Sequence, residues 1–228
     1  EQEGKLWYVT YQLDEETAAR TGQDHIEIAT TRPETIPADT GIAVHPEDER
    51  FAKFIGGHAI VPTNGRVVPI IGDEEIKSEF GTGALKVTPA HDQLDFEIGN
   101  RNGLEIINIM NIDGTLNENS GQYSSLERFD AREKVVEDLE NQEQIARTED
   151  YTTQIGISSR SKAVIEPLLS EQWFVKMGPL AQMAKEASEQ GEVEFFPPRW
   201  ENEYFRWLDN IRDWVISRQL WWGHRIPV

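Results

Sequence analysis

A chain of 228 residues can bury a real core and amounts to about one large domain, or one and a half small ones. Hydrophobic residues at 38% and charged residues at 28% are ordinary for a globular protein, and no run of roughly eighteen apolar residues offers a membrane-spanning helix. Zero cysteines exclude a disulfide scaffold and thiol catalysis, and a net charge of -19 argues against nucleic acid unless other parts of a larger protein hold most of it.

From the amino terminus, Glu1-Gln2-Glu3-Gly4-Lys5 lacks the basic-then-apolar layout of a signal peptide and reads as a cut inside a longer protein. Leu6–Tyr11 and His25–Thr30 carry β-rich or alternating patterns. Ile60–Thr63 and Arg66–Ile71 flank Asn64-Gly65, a two-residue hairpin signal. Ala84–Thr88 is a further strand, ended by Pro89. A helix is expected from Asp92 to Gly103, and another from Asp130, with Glu133 completing a capping box and Val135, Val136 and Leu139 along its length. After about residue 155 the character changes. Gln172–Met177 reads as a strand, a helix follows over Pro179–Ser188, and Pro197-Pro198 precedes a last helix carrying Trp200, Trp207, Trp214 and Trp221. Seven-residue spacing keeps these tryptophans near one helix face, read as a packing face with a stacking platform as the alternative. Residues 1–155 and 156–228 are therefore taken as two regions.

Two polar clusters interrupt the strand pattern. In Thr30-Thr31-Arg32-Pro33-Glu34-Thr35 three hydroxyls, a guanidinium and a carboxylate crowd a strand end, and Pro33 fixes φ and removes a donor. Hydroxyl-to-backbone turns would account for Thr30 or Thr31 alone. In the second cluster Lys86 and Thr88 share a strand face, and Asp92 and Asp95 stand at the N-cap and third position of a helix. A plain cap explains one carboxylate. Lys86, Thr88, His91, Asp92 and Asp95 together make a pocket for a small zwitterion-like ligand. No Ser-His-Asp or Cys-His set is visible, and the five histidines lack metal-ligand spacing, so neither a covalent intermediate nor a metal site is expected.

The motifs TTRPET, GTGALKVTPAHDQLDFEIG and IRDWVISRQLWWGHRIPV resemble the valyl-tRNA synthetases, over essentially the whole chain and in the expected order. Leucyl enzymes typically carry Asp where Glu34 stands, and isoleucyl enzymes a Trp. The sequence departs at Ile36-Pro37-Ala38, where many valyl enzymes have a Leu-Gly-type sequence. The resemblance implies an α+β fold: a β-barrel-like editing domain with short helices, then a helical return segment toward a Rossmann-type core. It implies hydrolysis of threonine misattached to valine tRNA. In that reading Asp95 holds the ammonium, Asp92 accepts from the threonine hydroxyl, and Arg32, Thr35, Lys86 and Thr88 orient the ester, its water and the terminal ribose. Thr30 and Thr31 belong to the same substrate-binding group. Phe80 is either a stacking partner of the terminal adenosine or a core residue. His91 is a candidate base or a support of the fold. Editing would need no cofactor, and ATP would serve only the full-length enzyme, since the HIGH and KMSKS motifs are absent here. The expected partner is the valine tRNA 3′ end carrying threonine, bound weakly by a cytoplasmic, monomeric chain with no membrane contact. Arg199, Arg206, Arg212, Arg218 and Arg225 could face RNA. An acidic, non-enzymatic interaction module and an isoleucyl or leucyl editing domain are the competing readings.

Overall fold

The computed structural model describes residues 2–79, 81–220 and 222–227. They form two compact units, Glu1–Leu169 and Ser170–Val228. No helix among the described residues is long and apolar enough to cross a membrane.

The first unit opens with β1 (Gln2–Leu13), α1 (Glu15–Thr21) and β2 (His25–Thr30). The sequence reading overlooked α1, whose short length hides any period, although Asp14 caps it by accepting from the Thr17 N–H at 2.9 Å. The short strands β3 (Gly41–Val44), β4 (His58–Ile60), β5 (Val67–Gly72) and β6 (Ala84–Val87) follow. Then come α2 (Gln93–Asn102), α3 (Arg128–Asn141) and β7 (Ile145–Thr153). The strand order is β2-β1-β4-β5-β3-β6, with β7 also on β1. β1 is long enough to serve three neighbours: Gln2 to Val9 face β7, Trp7 to Gln12 face β2, and Gln12 and Leu13 face β4. Among the described residues only β3 and β5 run parallel. The terminal strands of that order, β2 and β6, lie against one another. No hydrogen-bonded ladder joins them among the described residues. The sheet is thus an almost closed barrel with one seam, in keeping with the expected α+β class.

Alternation places the core. Ile26, Ile28 and Thr30 of β2 point inward, as do Val9, Tyr11 and Leu13 of β1. They meet Ile36, Ile42, Val68 and Ile70 inside the barrel. Each such aliphatic contributes about 1.5–3 kcal/mol by leaving water. Ala131, Val135 and Leu139 of α3, four residues apart, join the same core.

α2 obeys its expected signals: Asp92 caps it and Gly103 ends it at φ 66°. α3 does not begin at Asp130. Glu127 is its cap, accepting from the Phe129 N–H at 2.7 Å, because a bridge between Thr115 and Glu127 and the Arg128 N–H bond to Gly114 fix the chain there first. The Asn64-Gly65 hairpin is also wider than a two-residue turn. The last bonded residues are Val61 and Arg66, since the Val61 N–H donates to the Arg66 carbonyl at 2.8 Å. Pro62 has no N–H to extend the ladder, and the Asn64 amide instead donates to the Pro37 carbonyl at 2.9 Å.

In the first unit Glu166 returns to pair with Arg32 and with Arg128, the latter at 3.2 Å. A chain cut after Leu169 should keep the parent thermal midpoint of this unit. A cut after Ile155 strips Arg32 and Arg128 of that carboxylate and should lower the midpoint by several degrees, at about 2–4 °C per kcal/mol. Equal midpoints for the two truncations would remove Glu166 from the unit's stability.

The second unit contains β8 (Phe174–Val175), α4 (Met177–Glu189), α5 (Trp200–Asp209) and β9 (Trp214–Val215). α4 lies where a helix was expected, whereas the strand expected over Gln172–Met177 shrinks to two residues. The tryptophan helix is also shorter than its period predicts. Asn210 stops α5, its side chain donating to the Arg206 carbonyl at 2.8 Å, and Trp214 then sits in β9, paired with β8. Trp200 and Trp207 alone keep the helical register, and both are exposed, so they make no packed stripe within this unit. Trp221 lies outside the described residues.

Candidate functional site

A cavity of about 420 Å³ opens at the barrel seam. The end of β2 supplies Ala29 and Thr30, and the approach to β6 supplies Gly81 and Gly83 from the other side. Thr31, Arg32, Thr35, Lys86, Thr88, His91, Asp92 and Asp95 complete the lining named in the sequence, so both polar clusters meet in one place. Phe80 lies outside the described residues.

Lys86 is the hub of the inner wall. Its strand position turns it inward with Thr88, as period two requires. The Lys86 ammonium donates to Thr35 Oγ1 at 2.8 Å, Asp39 Oδ1 at 2.9 Å and Thr88 Oγ1 at 2.6 Å. All three of its hydrogens are therefore used. Thr88 Oγ1 passes its own hydrogen to Asp39 Oδ1 at 2.6 Å, and the Tyr11 hydroxyl donates to Asp39 Oδ2 at 2.6 Å. Burial pushes the Asp39 carboxyl up, opposed by the Lys86 charge and these donors; burial and the Asp39 charge push the Tyr11 phenol well up.

Asp95, only 6% exposed, accepts from the Thr88 N–H at 2.8 Å through Oδ2. Oδ1 has no hydrogen-bond partner among the described residues. Burial pushes this carboxyl up to about 6. Asp92 is exposed at the mouth, with Oδ1 accepting from Leu94 N–H at 2.8 Å and Asp95 N–H at 3.2 Å. It is thus a true helix cap, and its Oδ2 also has no bonded partner among the described residues. Arg32 donates to the His91 carbonyl at 2.8 Å and pairs with Glu166, while its Nε stands 3.7 Å from Glu34. Thr30 Oγ1 accepts from the Arg32 N–H at 3.0 Å, and Thr35 Oγ1 donates to the Arg32 carbonyl at 2.9 Å. The two hydroxyls fold the turn back on itself.

Residues 10–228 match the family model of tRNA synthetases class I (I, L, M and V). The chain belongs to the class I tRNA synthetases. It is 52% identical over 226 residues to the valine--tRNA ligase of Bacillus licheniformis, covering 99% of this chain and 25% of that protein. The valine--tRNA ligase of Anoxybacillus flavithermus is 53% identical with the same two coverages. That of Coxiella burnetii is 51% identical over 229 residues, covering 100% of this chain and 24% of the relative. This synthetase chain thus spans about a quarter of the length of the relatives it matches. A crystal structure of the ternary complex of Agrobacterium radiobacter K84 agnB2 LeuRS-tRNA-LeuAMS superposes at a TM-score of 0.49 and 20% identity, over 66% of this chain and 20% of that one.

The geometry of this class I synthetase chain sorts the candidate residues by what they have left to offer. Lys86 and Thr35 spend their hydrogens inside the wall, so they hold it in shape. His91 is fully buried, and its Nε2 accepts from the Ile109 N–H at 3.1 Å. Burial first, then the Arg32 and Lys86 charges, lowers its ring to about 4. A neutral imidazole with Nε2 occupied ties residue 109 to the corner, the fold-supporting role. Asp95 and Asp92 each retain an open carboxylate oxygen.

Three partners escaped the sequence reading. Asp39 and Tyr11 complete the Lys86 network, and Arg132 holds the buried Glu34 in a two-pronged bond at 2.8 and 2.6 Å. One signal was available: a lysine inside a strand as apolar as Ala84–Val87 demands a buried carboxylate somewhere. Nothing local says that residue 39 provides it.

Proposed function

We propose that this chain hydrolyses threonine esterified in error to valine tRNA, as the proofreading site of a valyl-type synthetase. The observation that carries the reading is Asp95: a buried carboxylate on a cavity wall with one oxygen open. An α-ammonium is the group such an oxygen fits, because it restores a partner to a desolvated charge. Asp92 Oδ2, three residues away at the mouth, is placed to accept from a side-chain hydroxyl. A threonyl ester supplies both groups; a valyl ester supplies only the first. The relatives' reaction explains the need, since an apolar pocket cannot strongly reject an analogue that adds only a hydroxyl, and the valyl enzymes are the standard example of that limit.

In the reaction a water oxygen bonds to the ester carbonyl carbon and the bond to the ribose oxygen breaks. The ribose hydroxyl leaves with a proton, and the second water proton goes to solvent as threonine becomes a carboxylate. Lys86, Thr88, Thr35 and Arg32 act by holding the wall against which the ester lies, so catalysis rests on positioning. The reading requires no ATP and takes a tRNA 3′ end as partner, bound weakly by so acidic a chain acting as a monomer. Incubating the chain with threonyl-, valyl- and isoleucyl-charged tRNA tests it. Threonine should be released fastest, and release at the buffer rate for all three leaves an acidic binding module instead.

Two further results follow from the paired carboxylates. Asp92→Ala should lower threonine release and narrow its advantage over valine, while loosening α2 by about 0.5–2 kcal/mol through the lost cap. Unchanged selectivity in folded protein removes Asp92 from hydroxyl recognition. The second result concerns pH. Asp95 must be ionised to hold an ammonium, so kcat/KM for deacylation should fall about tenfold per unit as pH drops below its value of about 6. Stability runs the other way. A carboxyl raised on folding binds its proton more tightly in the folded state, so its contribution is fully present below the usual carboxylate value of about 4 and is lost as pH rises through about 6. A kcat/KM profile flat between pH 5 and 8 contradicts the ammonium role.

A further inference from the structure

A second hollow, of about 450 Å³, adjoins the first and shares Gly81 with it. Its floor follows from strand alternation. His25, Glu27 and Ala29 occupy the outward positions of β2, opposite Ile26, Ile28 and Thr30. His25 and Glu27 line the second hollow and Ala29 lines the first, so one strand face runs from one to the other. Gly81 forms the narrows: at φ 59° it comes so close that a Cβ there would meet the Ala29 Cβ at 3.0 Å.

The chemistry of this hollow differs from that of the cavity. Arg50 and Arg147 bring two guanidinium groups, Phe51 an aromatic ring and Thr82 a hydroxyl. Both arginines are held by carboxylates. Arg50 grips Asp48 at 2.9 and 2.6 Å and donates to the Ser78 carbonyl at 2.7 Å, while Arg147 bonds Glu149 at 3.1 Å and Glu27 at 3.2 Å. Such bonds set the orientation of each fork without exhausting its five donors, and Arg50 Nη1 has no partner among the described residues. On a chain of net charge -19, two oriented guanidiniums stand here beside an aromatic ring, with Asp48, Glu149 and Glu27 as their counter-charges. A guanidinium pair for phosphate and a ring for a base is the combination that holds single-stranded nucleic acid.

We propose that this hollow holds the nucleotide immediately upstream of the esterified one, with Arg50 and Arg147 on its phosphate and Phe51 against its base. The inference rests on the deacylase reading, because the narrows at Gly81 would then separate the amino-acid cavity from the path of the incoming strand. Glu27 opposes the phosphate and limits its affinity.

The test compares two substrates on the full chain: threonyl ester of adenosine, and threonyl ester of a trinucleotide ending in that adenosine. The parent should favour the trinucleotide by roughly tenfold in kcat/KM, a gain of the size that base stacking supplies. Within each variant the ratio of the two rates cancels damage to the cavity itself. Arg147→Ala and Arg50→Ala should each bring that ratio down toward one, and Glu27→Gln should raise it. High salt should shrink the parent's ratio, since the gain includes a phosphate contact. A parent that cleaves both esters equally, or a ratio indifferent to all three substitutions, overturns the upstream-nucleotide site and leaves the deacylase reading standing. A parent that cleaves neither ester overturns both.

Discussion

Asp95→Ala is expected to abolish deacylation of every mischarged tRNA. Removing one partner of a buried charge pair costs about 3–5 kcal/mol. Where that pair forms only with substrate, the loss is on the order of a hundred- to several-thousandfold in kcat/KM. Alanine also leaves the Thr88 N–H, bonded to Asp95 at 2.8 Å, without an acceptor in a buried place, so some stability goes with it. Asp95→Asn separates the two effects. Its carbonyl oxygen can keep the Thr88 bond while its NH₂ group faces the ammonium and repels it. Because burial raises the Asp95 carboxyl to about 6, the ionised group is a liability to the fold at neutral pH. The asparagine variant should therefore be as stable as the parent or more so, and inactive. A folded Asp95→Asn protein that clears threonyl-tRNA at the parent rate ends the assignment of this pocket.

The largest effect on the fold itself is expected at Asp39. Asp39→Ala leaves the Lys86 ammonium, with its side chain 8% exposed, without its counter-charge, and it takes the acceptor from Thr88 and Tyr11 as well. The expected cost is about 3–5 kcal/mol. For a unit of this size that is a fall in thermal midpoint of roughly 6–20 °C. Adding Lys86→Met to Asp39→Ala should recover part of the loss, since an apolar replacement of both partners avoids a stranded charge. Calorimetry on the parent, the two single variants and the double variant measures the coupling directly. A single variant within a degree of the parent would show that the pair contributes nothing.

These two residues also mark where the sequence was legible and where it was not. Asp95 and its neighbours announce themselves because their signals are local: Asp92 caps, Gly103 stops, and Lys86 and Thr88 share a face by simple alternation. The strand pattern of His25–Thr30 was readable for the same reason. Asp39 gave no such sign. It lies 47 positions from Lys86, and only the curl of the sheet brings the two together. Local signals also failed where a distant bond outranked them. The Thr115 bridge moved the start of α3 to Glu127, and the Pro37 carbonyl drew Asn64 into a wider turn. In the second unit the pairing of Trp214–Val215 with Phe174–Val175 ended a helical period that looked unbroken in the sequence. The cavity's residues could be named in advance, but which of them still had an unused oxygen required the network.

That division between spent and open groups has a consequence for how the site empties. Lys86 is paired with Asp39 and Arg32 with Glu166, so the buried wall turns the open oxygen of Asp95 to the cavity, while Asp92, Glu75 and Lys77 line it from exposed positions. An aminoacyl ester is a cation, with an ammonium and no free acid. Its hydrolysis product is a zwitterion that has just acquired a carboxylate. Under the proposed deacylase reading, the wall that attracts the first would repel the new charge on the second, so cleavage would turn a well-held guest into a poorly held one. On that same reading, a spare cation on the inner wall would grip that new carboxylate and slow the next turnover, and pairing Lys86 with Asp39 withholds that cation.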